Sequence, residues 1–224
     1  MSGTTSARED ILGRIRAATA GLPEGPVPVP REYLRHAPGV APEDRDAVLE
    51  LFAERLAEYG AAVHRTGPDG VASVLAVALP AGRAVVPEGF PQAWLEQWAG
   101  EAVADRPPLP HAELDGLDAV LTTCAAGIAD SGTIVLDAGP GQGRRAATLL
   151  PDLHVCVVRA GQVVSSMPEV LGRLDPRRPL TWISGPSATA DIEMIRVQGV
   201  HGPRRLTVVL VEDGEGARHA EGTD

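Results

Sequence analysis

Several runs in this chain are apolar without a polar alternate. Ala119-Val120-Leu121-Thr122, Thr133-Ile134-Val135-Leu136, His154 to Val158 and Leu206 to Val211 each read as short strands with no side left for water. A half-exposed strand alternates apolar and polar residues, so such runs need cover on both faces. Helical patterns supply it. Pro42-Glu43-Asp44 opens a helix whose stripe is Val48, Leu51, Phe52, Leu56 and Tyr59, and Gly60 ends it. Further helical segments are expected over 71–79, 91–99, 144–150 and 168–174. Ala62–Arg65, Arg83–Val86, Gln162–Val164 and Leu180–Ser184 read as additional short strands. Strands separated by helices predict an α/β sheet covered by helices on both faces. The closeness of 119–122 to 133–136 suggests a hairpin or short crossover, so a mixed sheet is expected.

The ends of the chain read differently. Ser6-Ala7-Arg8-Glu9 has the form of a capping box, and Ile11, Leu12 and Ile15 share one face of a helix over 7–20. Six prolines fall within residues 22–42, which predicts a stiff, extended arm. The organisation expected is therefore an N-terminal helix and Pro-rich arm over 1–42, an α/β domain over 43–212, and a disordered tail over 213–224. The amino terminus lacks a hydrophobic signal core and no run approaches a membrane span, so a cytoplasmic protein with no membrane span is expected.

Charge narrows the chemistry. All 20 basic residues are arginine, and the net charge is −10. Without lysine there is no Schiff base and no lysine phosphate loop. The acidic balance argues against nucleic acid as a partner, although pairs such as Arg144–Arg145 and Arg204–Arg205 suit a small anion. Cys124 and Cys156 are the two cysteines, too few for a cluster held by four thiolates. Both are expected as buried free thiols. No histidine spacing suggests a metal. Gly139-Pro140-Gly141-Gln142-Gly143 reads as a flexible loop.

Three segments place glycine and polar residues at strand ends, where open α/β sheets bind ligands. Asp130-Ser131-Gly132-Thr133 offers hydroxyls and close backbone approach, or else is a tight turn. Ser184-Gly185-Pro186-Ser187-Ala188-Thr189-Ala190-Asp191-Ile192-Glu193 joins a strand to a possible helical turn at Ser187. Its N–H groups, Ser187 and Thr189 suit an anion, and Asp191 or Glu193 suits a general base. The other reading is a cap complemented by acids. Gly199-Val200-His201-Gly202-Pro203-Arg204-Arg205 presents a histidine able to titrate near neutrality, or simply a turn before the last strand.

The ordered set Ala129–Leu136, Leu149–His154, Ser184–Glu193 and Gly199–Pro203 resembles the LUD-domain family, nearest its lactate utilisation protein C (LutC) branch, over roughly residues 45–212. Ser131 stands where that family commonly has threonine, and Asp130 where it often has glutamate. The resemblance implies a fold similar to the NagB/RpiA/CoA-transferase-like superfamily. It also implies a subunit of a bacterial system oxidising L-lactate to pyruvate, an L-lactate dehydrogenase-type oxidoreductase complex with iron–sulfur partner proteins. Iron–sulfur clusters would then sit on the partners and no cofactor in this chain. Under this reading Asp191, His201 and Glu193 are the catalytic candidates. Asp130, Ser131, Gly132, Thr133, Gly185, Ser187 and Thr189 are candidates for binding a small carboxylate. Two alternatives stand beside it. One is a free-standing enzyme of that superfamily acting on a small anion, with Glu88, Glu169 or Glu193 as its carboxylate. The other is a non-catalytic assembly subunit.

Overall fold

A computed structural model of the protein describes residues 6–21, 29–30, 32, 35–189, 197–199 and 201–212. The chain divides into two units, Met1–Tyr33 and Leu34–Asp224. In the first, α1 (Ala7–Thr19) starts at the expected capping box: the Ser6 hydroxyl accepts from the Glu9 amide, and Glu9 accepts from the Ser6 amide at 3.0 Å. No α1 residue is buried, and Ile11 and Ile15 stand exposed. Much of the proline-rich stretch, and the tail 213–224, lie outside the described residues.

The second unit opens with α2 (Arg45–Glu58), capped by the Asp44 carboxylate, which accepts from the Ala47 amide. Next come β1 (Ala62–Thr66), α3 (Val71–Ala78), β2 (Arg83–Val85), β3 (Glu101–Val103), α4 (His111–Asp115) and β4 (Ala119–Thr122). They are followed by β5 (Ala126–Ile128), β6 (Thr133–Leu136), α5 (Arg145–Leu149), β7 (Leu153–Arg159) and β8 (Val163–Val164). The last elements are α6 (Met167–Leu171), β9 (Thr181–Ile183), β10 (Ala188–Thr189), β11 (Val197–Gln198) and β12 (Arg205–Val211). The segment 91–99 forms only a short 3-10 helix, Gln92–Leu95.

The main sheet has the order β1-β12-β7-β4-β2-β3, and every neighbouring pair in it is parallel. The sheet is α/β as expected, but mixed pairing is absent from its six described strands. It is confined to a four-stranded sheet, β8-β5-β6-β9, in which β5 and β6 form an antiparallel hairpin. The expected pairing of 119–122 with 133–136 does not occur: β4 lies in the large sheet and β6 in the small one. Sequence proximity misled here because Ala126–Ile128, too short to stand out, supplies the partner for β6.

Side-chain parity explains why the strands carry no polar alternate. Leu153, Val155, Val157, Val209 and Val211 face Val71, Leu75 and Leu79 of the α3 side, with Phe90 and Trp98. Cys156, Val158, Leu206, Val208 and Leu210 face the opposite way, onto Val48, Leu49, Phe52 and Leu56 of α2 and onto Ile134 and Leu136 of the small sheet. Each central strand is thus apolar on both faces because each face meets a separate layer.

Both thiols are free and buried. They stand near each other although 32 positions apart, and the neighbouring Cys156 thiol, together with burial, pushes the Cys124 thiol well up. A thiolate-selective reagent is therefore expected to label neither residue in the native protein at pH 8. Unfolding in urea should release two thiols per chain, with rates differing by about a hundredfold or more. Rapid native labelling of either cysteine would refute this packing.

Candidate functional site

The hairpin turn between β5 and β6 carries the first group of candidates. Gly132 has φ +56°, and a Cβ there would lie 2.8 Å from the backbone of Arg55 and Leu56. The turn is thereby seated against the end of α2. Ser131 Oγ lies 2.9 Å from Thr133 Oγ1, which lies 2.7 Å from Ser184 Oγ beyond the end of β9. Antiparallel pairing of β6 with β9 brings these hydroxyls together across 51 positions of sequence. Asp130 adjoins them. Its Oδ1 is buried with no hydrogen-bond partner among the described residues. Burial raises the Asp130 carboxyl above the usual range, against hydrogen bonds from Ser131 that lower it.

Beyond Ser184, Gly185 takes φ +101° against Tyr59. Ser187 then ties down the third segment. Its amide donates to Pro203 O at 2.8 Å, its carbonyl accepts from the Gly199 amide at 3.0 Å, and its hydroxyl accepts from the His201 amide at 3.0 Å. No helical turn begins there. Ala188 and Thr189 continue as β10, paired antiparallel with Val197 and Gln198. The expected anion site on a helix terminus is therefore replaced by a β-ribbon. Asp191 and Glu193 lie outside the described residues, and the Thr189 side chain does too.

Gly199, His201, Gly202 and Arg204 line a cleft of about 830 Å³ at the amino ends of β4, β7 and β12. Arg145, Leu149 and Leu150 from the α5 region line it too, with Asp115 and Asp152. Arg204 Nε donates to Asp152 Oδ1, which holds the Arg204 guanidinium further up in pKa, and Arg205 Nε lies 3.5 Å from the other Asp152 oxygen. Arg145 makes no ion pair among the described residues. Its neighbour Arg144 is committed elsewhere, to Asp105 at 2.6 and 3.1 Å and to Leu109 O at 2.6 Å. The arginine pair visible in the sequence is thus split between a structural and a free guanidinium. Asp115 carried no signal in the sequence, because only the fold sets α4 beside α5.

The three candidate segments therefore do meet, through Thr133–Ser184 and then Ser187–His201. The meeting point lies at the small sheet and the amino edge of the large one, not at its carboxyl edge. The glycine-rich loop 139–143 is pinned to the carboxyl edge. Gly141 donates to Glu88 O at 2.7 Å and accepts from the Thr123 amide at 2.8 Å, and buried Gln142 Oε1 accepts from the Asp137 amide at 2.6 Å.

Residues 35–211 match the family described as the LUD domain. The chain belongs to the LUD domain family. Among its relatives, "Lactate utilization protein C" of Deinococcus radiodurans is 45% identical over 216 residues, covering 93% of this chain and 97% of that protein. "Lactate utilization protein C" of Halalkalibacterium halodurans is 42% identical over 94 residues, covering 38% of this chain and 40% of that one. A solved structure of a "duf162 family protein" from Deinococcus radiodurans is 42% identical with a TM-score of 0.64. It covers 75% of this chain and 98% of its own. The LUD architecture thus spans the whole of the second unit's large sheet. Among the described residues no helix is long and apolar enough to cross a membrane.

Proposed function

We propose that this LUD protein is a LutC-type subunit of a bacterial system that oxidises L-lactate to pyruvate, working with iron–sulfur partner proteins. The observation that carries this reading is the 45% identity with a lactate utilization protein C along nearly the full length of both chains. The two-electron oxidation needs an acceptor, and two buried cysteines cannot hold a four-thiolate cluster. The acceptor of the C2 hydrogen and its electron pair would therefore lie on the partners, whose iron–sulfur clusters would carry the electrons onward.

The cleft suits the anionic end of this chemistry. Arg145 is a free guanidinium able to take a carboxylate, while Arg204, its charge balanced by Asp152, fixes the wall that carries His201. His201 would accept the proton of the 2-hydroxyl group. Ser187 positions that histidine through its backbone amide rather than touching the ligand. The hydroxyl chain Ser131–Thr133–Ser184, with Asp130 beside it, holds the ribbon from which Ser187 projects. A cleft of about 830 Å³ far exceeds the needs of a three-carbon acid and leaves room for a partner segment to close over it.

Two carboxylates of the free-standing enzyme reading already have partners in the fold. Glu169 accepts from the Ser165 amide and hydroxyl and pairs with Arg173, while Glu88 pairs with Arg106. Dye-linked L-lactate oxidation by the complex reconstituted with its two partners tests the proposal. His201→Ala is expected to lower kcat at least about a hundredfold, and Arg145→Gln to raise KM about tenfold or more. Full activity of a complex lacking this chain would sink the subunit assignment. Unchanged kinetics in both variants would sink the roles given to the cleft.

A further inference from the structure

The carboxyl edge of the large sheet holds an arginine that the reading above does not use. Going along the chain, β2 leads outward to β3, while β4 leads to β7 and β12 on the other side. The direction of winding reverses between β2 and β4, the point at which open α/β sheets bind ligands at the carboxyl ends of their strands. Gly141 bridges the two strand ends there, from Glu88 O to the Thr123 amide, and three segments flank the bridge. Phe90 and Trp94 follow β2 and pack edge to face with centroids 5.6 Å apart. Thr123 and Cys124 follow β4. Arg159 ends β7, and Gln162 just beyond it donates to Cys124 O at 2.6 Å.

Glu88, Asp105 and Asp137 each carry an arginine: Arg106 at 2.9 Å, Arg144 at 2.6 Å and Arg178 at 3.1 Å. Arg159 pairs with no described carboxylate. Its guanidinium lies instead over the Trp94 ring, 5.2 Å from the centroid, and the residue is exposed. An indole face supports the flat of a guanidinium and fixes its plane while leaving the N–H edges free. Those edges match two oxygens of a carboxylate or a phosphate.

We propose that Arg159, backed by Trp94, anchors an anionic group, carboxylate or phosphate, at the carboxyl edge of the parallel sheet. The seven residues of β7 separate this site from the cleft at its amino end by roughly 20 Å. The proposal does not depend on the role in lactate oxidation. Loss of one would leave the other standing.

The test titrates the full chain at low ionic strength with sodium L-lactate, sodium pyruvate and inorganic phosphate separately, by calorimetry and tryptophan fluorescence. At least one anion is expected to bind saturably, and the comparison of arms separates a carboxylate ligand from a phosphate. Trp94→Phe should abolish the fluorescence change while the heat of binding persists, since Trp98 and Trp182 remain. Arg159→Gln should weaken binding at least tenfold, and Arg159→Lys, which keeps the charge, should restore part of it. His201→Ala and Arg145→Gln, which weaken lactate in the cleft, should leave the Trp94 fluorescence change and its dependence on Arg159 unaltered. Absence of a saturable fluorescence change with all three anions, a change indifferent to Arg159→Gln, or its loss in the cleft variants would each overturn the proposal.

Discussion

Acidification from pH 7 to pH 4 is expected to remove roughly 3 kcal/mol of stability from this protein through a single residue, His154. The imidazole is 1% exposed in the middle of the large sheet, where His154 registers with Val120 on one side and Leu206 on the other. Its Nε2 lies 2.7 Å from Thr122 Oγ1, the one polar contact it makes there among the described residues. Burial lowers its pKa from 6.5 to about 4, because the imidazolium would be a desolvated charge. Above pH 6.5 the group is neutral folded and unfolded, and its contribution is fully present. Between 6.5 and 4 the unfolded chain takes up a proton that the folded chain refuses, so stability falls as pH falls. Below 4 both forms are protonated and the dependence flattens. A window of that width, at about 1.4 kcal/mol per pH unit, sets the size of the loss.

Urea titrations at several pH values measure this slope, and a double variant isolates it from the carboxylates. Thr122→Val with His154→Leu removes both polar partners together, which leaves neither one buried and unpaired. The double variant should be close to wild type at pH 7 and lack this part of the acid slope. An identical slope in both proteins would show that His154 takes up its proton as readily in the fold as in the unfolded chain.

The second large effect concerns Gly132, a residue whose sequence context suggests ligand binding. Gly132→Ala should destabilise the protein by about 3 kcal/mol. The left-handed backbone costs an L-residue roughly 1–2 kcal/mol, and overlap in a packed site typically adds 1–3 kcal/mol. The overlap cannot be relieved by a rotamer change, because the atoms 2.8 Å away are the backbone of Arg55 and Leu56 in α2. Gly161→Ala is the matched control: nothing lies within 4 Å of its added Cβ, and it should shift stability by no more than about 0.5 kcal/mol. Equal denaturation midpoints for the two variants would contradict the seating of the hairpin on α2. Because the turn also bears Ser131 and Thr133, a loss of activity in Gly132→Ala would reflect displaced hydroxyls rather than a contact from glycine itself.

Much of the layer structure was legible from patterning. The capping box at Ser6, Val48, Phe52 and Leu56 of the α2 stripe and the buried runs of β4, β7 and β12 appear where local chemistry puts them, while Leu49 is buried where Tyr59 was expected. Each depends on neighbours a few residues away or on solvent exclusion, which the sequence carries directly. The kind of ligand was partly legible too, since a chain with arginine and no lysine must hold anions by guanidinium, hydroxyl or backbone. Membership of the LUD family rested on the order of its motifs along the chain.

Pairing partners and the choice of face were not legible. A strand as short as Ala126–Ile128 gives no periodic signal, yet it takes β6 away from β4 and makes the large sheet wholly parallel. Ser187 has the right neighbours for a helix cap, but its hydrogen bonds with Gly199, His201 and Pro203, formed across 12 to 16 positions, draw it into a ribbon. Arg144 and Arg145 are identical in type and adjacent, and only the position of Asp105 makes one structural and leaves the other free. Which residues must be buried and which chemistry is available follow from side-chain type and local spacing. Which of them meet follows from the assembled fold, because strand pairing and ion pairing are settled by contacts between segments that local preference does not link.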